Sequence, residues 1–132
     1  MREIKFRGKS PEEEWVYGSY ISRKQKHYLY DLMFDNKNRK KAVMRKSIGQ
    51  YTGLKDRNGK EIYEGDILAA PHTYNIEIIY KNGGFLMEFF DDIGEKCEYH
   101  LNKELIEQDD LEIIGNKYEN PELLGDVNEC SR

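Results

Sequence analysis

The sequence predicts a mainly-β protein, with an N-terminal β-rich lobe near residues 1–48 and a small barrel-like β lobe near 49–118. A tail over 119–132 follows, and one or two short helices are expected near the C-terminal end. Three observations carry that expectation. Short runs rich in Tyr, Phe, Ile and Val recur along the chain and are separated by turn residues. Several of them alternate apolar and polar residues with the period of two that a strand requires. Helix signals are sparse and fall only after residue 100. A chain of 132 residues without repeats or a Pro-rich linker fits one domain, which buries roughly two-thirds of the surface it exposes unfolded.

The elements follow in order. Ile4 and Phe6 alternate with charged neighbours, GKSP turns the chain, and WVYGSYI carries Trp15, Tyr17 and Ile21, so the opening reads as a hairpin. In HYLYDLMFD, Tyr28, Tyr30, Leu32 and Phe34 share one face, and Leu29 and Met33 make the other partly apolar, so cover on both sides is expected. NKNRK turns into KAVMRKSIGQY, read as one short strand region. EIYEGDILAA places Ile62, Ile67 and Leu68 around a Gly-Asp turn. NIEIIYKNGGFLMEFF is two apolar runs divided by Asn82 and Gly83, the clearest hairpin, because Asn-Gly takes positive φ at little cost. Asn102 is a candidate cap for a short helix KELIEQ, with Leu101 and Ile106 as a staple, although Asp109 and Asp110 oppose the dipole at its end. The stronger helix start is NPELL, with Asn120 as cap, Pro121 in the first turn and Glu122 at the positive end.

Composition removes several function classes. Hydrophobic residues make up 38% and fifteen Phe and Tyr join Trp15, enough apolar area to oppose disorder despite a mean hydropathy of -0.89. Cys97 and Cys130 are too few for a disulfide framework, MREIKFRGK has no apolar core like that of a secretory signal, and no run approaches the roughly 18 apolar residues of a spanning helix. The expectation is a cytoplasmic protein with no membrane partner. The net charge of -4 hides a division: residues 23–46 hold nine Lys and Arg against Asp31 and Asp35, and residues 88–132 hold fourteen Asp and Glu against four cations. Such asymmetry bears on association, and a homo-oligomer is a candidate state.

The stretch YTGLKDRNGKEIYEGD (51–66) looks most like a chemical motif. A phosphate loop needs Gly, four residues, then Gly-Lys-Ser/Thr; here five residues separate Gly53 from Gly59, and Glu61 stands where the hydroxyl should be. A calcium loop aligned on Gly59 would put Leu54 at the first ligand and Gly65 at the twelfth, where a bidentate Glu is required. Both fail. What remains is a structural turn built on Asp56, Asn58 and Gly59, with a second at Gly65 and Asp66. No cofactor is implied.

Cys97 and His100 are spaced C-x-x-H, with no second close ligand pair for zinc among His27, His72 and Cys130. Glu95 and Glu98 would raise the thiol pKa, which opposes a nucleophilic role. Asp91-Asp92 and Asp109-Asp110 read as solvated turns. The basic residues Arg23, Lys24, Lys26, Arg39, Lys40, Lys41, Arg45 and Lys46, interleaved with Tyr28, Tyr30 and Phe34, are the candidate contacts for nucleic acid or a partner.

The run IGQYTGLKDRNGKEIYEGDIL, the opening EIKFRGK, WVYGSYI and the closing IIGNKYENPELL together resemble the YopX family of phage and prophage proteins over about residues 2–124. The resemblance implies a mainly-β protein acting in the cytoplasm of a bacterial host, and it supplies no catalytic residues. Its signature residues, among them Gln50, Tyr51, Thr52, Gly53, Tyr63, Asn116, Asn120 and Pro121, are mostly turn formers and their neighbours. The functional expectation is a non-enzymatic accessory protein, a binding or assembly module whose partner is an unidentified phage or host protein. A nucleic-acid-binding module using 23–46 is the alternative, and an enzyme using Asp66 or the Cys97 region is a third class.

Overall fold

A computed structural model describes residues 4–21, 29–71 and 73–125. The chain divides into two compact units, Met1–Gly53 and Leu54–Arg132. Both are built on antiparallel sheet, and no described helix is long and apolar enough to cross a membrane.

In the first unit β1 (Phe6–Lys9), β2 (Trp15–Ile21), β3 (Tyr30–Asp35), β4 (Lys40–Met44) and the start of β5 (Gly49–Lys55) lie in the order β4-β3-β2-β1-β5. Val16, Met33 and Val43 form the core, with Phe6, Tyr20 and Ile48 against it. Gly18 is a packing requirement: a Cβ there would collide with the carbonyl oxygen of Phe34 on the neighbouring strand. KAVMRKSIGQY is not one strand region. A 3-10 turn, Arg45–Ser47, separates β4 from β5, and Ser47 fixes it by accepting from Lys9 N–H at 2.7 Å and donating to the Met44 carbonyl at 2.6 Å.

β3 also departs from its expected reading. Its buried positions are Asp31 and Met33, whereas Tyr30, Leu32 and Phe34 are half-buried and Leu29 is exposed. Tyr28 lies outside the described residues. A carboxylate can occupy the inner face because it is fully partnered. Asp31 accepts from Arg45 Nη2 at 3.0 Å and Nε at 3.1 Å, and from the Tyr20 hydroxyl at 2.9 Å. The Arg45 hydrogen bonds hold its pKa below the usual carboxylate value against the opposing effect of burial.

In the second unit the end of β5 turns into β6 (Glu61–Tyr63), followed by β7 (Asp66–Ala69), β8 (Ile76–Lys81), β9 (Gly84–Phe90), β10 (Lys96–His100), α1 (Lys103–Asp109) and β11 (Glu112–Asn116). Five of these strands form a sheet in the order β10-β9-β8-β7-β11. Ile62, Leu68, Ile76, Ile78, Met87, Ile106 and Leu111 are its core. Asn82 and Gly83 take φ 54° and 81° between β8 and β9, the left-handed pair of a two-residue hairpin.

The two helix expectations exchange ranks. KELIEQ is the α-helix: Asn102 Oδ1 accepts from Leu105 N–H at 2.9 Å, and the helix ends where Asp110 turns left-handed at φ 53°. Burial of Ile106, worth about 1.5–3 kcal/mol, outweighs the unfavourable acidic end. Pro121–Leu124 makes only a 3-10 turn, with no residue buried. Asn120 does not cap it, because its Oδ1 accepts from Asn116 N–H at 3.2 Å.

Candidate functional site

The motif at 51–66 is best understood beside three other loops. Residues 10–14, 35–39, 56–60 and 91–95 close four hairpins with the same bonds: the first residue donates to the fifth carbonyl at 2.9–3.0 Å, and the fourth donates to the first carbonyl at 2.8–3.0 Å. The fourth residue has positive φ each time, at Glu13, Asn38, Gly59 and Gly94. A side-chain oxygen of the first residue, Ser10, Asp35, Asp56 or Asp91, completes each loop by accepting from backbone N–H groups.

Asp56 differs in its second oxygen. Oδ1 accepts from Asn58 and Lys60 N–H at 2.9 Å, and Oδ2 accepts from Ile113 N–H, also at 2.9 Å. Beside it, Arg57 N–H donates to the Leu111 carbonyl at 3.0 Å and Asn58 Nδ2 to Glu112 Oε2 at 3.1 Å. The loop therefore lies along β11. Both Asp56 oxygens serve backbone amides, which is the work of a turn. Asp66 acts similarly, accepting from Tyr63 N–H at 2.7 Å while only 2% exposed. Gly65 is held between the Ile78 carbonyl and Lys117 N–H.

Cys97 and His100 do not converge. They stand three apart on β10 and so project from opposite faces. Burial first, then Asp91 and Glu95, pushes the Cys97 thiol above its ordinary pKa. Among the described residues no three His, Cys, Asp or Glu side chains are grouped to hold a metal.

Five of the eight basic candidates lie on or beside β4. Arg23, Lys24 and Lys26 lie outside the described residues. Arg45 is directed to Asp31, and Arg39 pairs with Asp35 at 2.8 Å. Lys40 and Lys41 are exposed on β4, and Lys46 follows in the 3-10 turn. Lys37, Arg39 and Lys41 do line one cleft of about 340 Å³ with Trp15 and Tyr17, but Glu12, Glu14 and Asp35 share it.

Sequence reading did not find the most distinctive surface of the second unit. Tyr74, from the loop before β8, stacks on Phe89 of β9 with ring centroids 5.0 Å apart, and Phe89 stacks on Tyr99 of β10 at 5.8 Å. These rings, with Met87, Leu105 and Leu111, line a pocket of about 300 Å³ whose rim includes Asp109. Burial and Asp92 beside the hydroxyl push Tyr74 above its ordinary pKa. β10 borders the pocket and is the last strand of its sheet, and four of its five residues are exposed. The signal is long-range: Tyr74, Phe89 and Tyr99 are far apart in sequence, and only the strand register unites them.

A family model described as YopX protein matches residues 5–125. Among solved structures, the crystal structure of protein EF1440 from Enterococcus faecalis is similar, with 28% sequence identity and a TM-score of 0.59, covering 94% of this chain and 99% of that one. Among curated proteins none matches.

Proposed function

This chain belongs to the YopX family, and we propose that it is a non-enzymatic phage or prophage accessory protein that acts in the bacterial cytoplasm by binding another protein. The observation that carries the reading is the exposed edge of the second unit, where an open strand, stacked aromatic side chains and surrounding carboxylates occur together. Aromatic residues with an apolar centre and a polar rim are the composition of a protein interface. The carboxylates at that edge favour a basic partner and oppose a phosphate backbone.

The cleft in the first unit supports a second reading as a nucleic-acid-binding module, since Trp15 and Tyr17 offer stacking surfaces beside Lys37, Arg39 and Lys41. Against it stand the carboxylates in the same cleft and the engagement of Arg39 with Asp35. Cross-linking in prophage-carrying cells, paired with anisotropy of labelled single- and double-stranded DNA and RNA over a salt series, separates the two. The protein-binding reading expects a specific cross-linked protein and weak oligonucleotide binding. Submicromolar oligonucleotide binding that falls steeply with salt would overturn it.

A further inference from the structure

Resting on that reading, we propose that β10 and the pocket beside it receive an extended segment of a partner protein, in which one large aliphatic side chain is flanked by lysine or arginine. The backbone supports strand addition. Leu101 N–H donates to the Phe85 carbonyl at 3.0 Å and Asp91 N–H to the Glu95 carbonyl at 3.0 Å, so Cys97 and Tyr99, between them, are the residues bonded to β9. By alternation the N–H groups of Lys96, Glu98 and His100 point away from the sheet. No described residue accepts from these three donors, so an incoming strand would find them in a row, as in other cases of β-augmentation.

The side chains define what the segment carries. Tyr99 and Cys97 share the sheet face of Phe89 and Met87, so a residue paired alongside Tyr99 projects toward the pocket. Tyr74, Phe89 and Tyr99 are nearly parallel, with interplanar angles of 12° and 26°, and they turn much of their faces to one another. A cation needs an open ring face, whereas ring edges with Met87, Leu105 and Leu111 suit an aliphatic side chain. Asp109 on the pocket rim, and Asp91 and Asp92 near Tyr74, supply the charge that selects basic flanking residues.

Charged side chains commonly guard an open edge, yet those of β10 are already occupied on the opposite face. Lys96 pairs with Glu88 at 3.4 Å and Glu98 with Lys81 at 3.2 Å. They leave the pocket side of the edge open.

The test is fluorescence anisotropy of the whole protein with a labelled peptide of alternating lysine and leucine, and with a twin N-methylated at alternate amides. The methylated amides are those of the lysines, which face β10 when a leucine pairs antiparallel alongside Tyr99, so methylation blocks strand pairing and leaves the side chains unchanged. The twin should bind at least about tenfold more weakly, as loss of one or two hydrogen bonds implies, and Tyr99→Ala, shown folded by circular dichroism, should weaken the parent peptide similarly. Equal binding of twin and parent, or no binding of either, overturns the proposal. A cellular partner that binds the Tyr99→Ala protein unchanged overturns the edge assignment while leaving the protein-binding reading in place. Self-association abolished by Tyr99→Ala without any partner would overturn the assignment to a foreign segment, since a second copy would then be the occupant.

Discussion

The five-stranded sheet of the second unit has two edges, and they are finished differently. β11 is covered: Asp56 accepts from Ile113 N–H, Arg57 donates to the Leu111 carbonyl, and Asn58 reaches Glu112. Among the described residues β10 has no comparable cover, Asn102 Nδ2 reaching only the His100 carbonyl at 3.1 Å, and four of its five residues are exposed. Unpaired strand edges invite association, and proteins usually cap them. One edge is capped by the most motif-like loop of the chain. The difference teaches that Asp56, Arg57 and Asn58 of YTGLKDRNGKEIYEGD form a clasp on β11, and that the open edge at β10 is where association is to be sought.

The largest expected effect comes from removing the clasp. Asp56→Ala strips acceptors from three backbone N–H groups, including Ile113 of β11, and should destabilise the protein by about 2–4 kcal/mol in urea denaturation. Gly59→Val comes next. Nothing lies within 4 Å of a Cβ built there, so the cost is only the φ of 81°, about 1–2 kcal/mol by the same measurement. Asp91→Ala sharpens the comparison, because that loop has the same local bonds and serves the uncapped side of the sheet. Its cost should be about 1 kcal/mol or less, well below that of Asp56→Ala. An equal cost would mean that the clasp contributes nothing beyond its own turn.

The smallest effect is electrostatic. Hydrogen bonds from Lys81, with the charges of Lys81 and Lys96, hold Glu98 below its ordinary pKa. A depressed folded pKa contributes stability that is present above the unfolded value, about 4.3, and is lost as pH falls through the folded one. Glu98→Gln should therefore leave urea midpoints nearly unchanged at pH 3 and lower them slightly at pH 7. Salt should reduce that difference, since the pair is solvent-exposed.

How much of this was legible follows from sequence separation. The mainly-β class, the Asn82-Gly83 hairpin and the turn chemistry of Asp56, Asn58 and Gly59 are local, and a few neighbouring residues determine them. The choice of face on β3 was not legible. Asp31 is inside because Arg45 and Tyr20 meet it, whereas the apolar residues on both faces of the strand led only to cover on both sides being expected. The helices misled for a related reason: Asn120 has the better local signals, while burial of Ile106 decides for 103–109. The clasp function of Asp56 depends on a bond to Ile113, and the aromatic pocket on the register of β9 with β10. Neither leaves a mark in any short window.

Amide hydrogen exchange by NMR, with and without the lysine–leucine peptide, tests the contrast between the two edges most directly. The Ile113 amide on β11 should exchange slowly in the free protein, and those of Lys96, Glu98 and His100 rapidly, becoming protected when the peptide saturates. Protection of the β10 amides in the free protein equal to that of Cys97 and Tyr99, or no change at saturation, would contradict the assignment of β10 as the open, receiving edge.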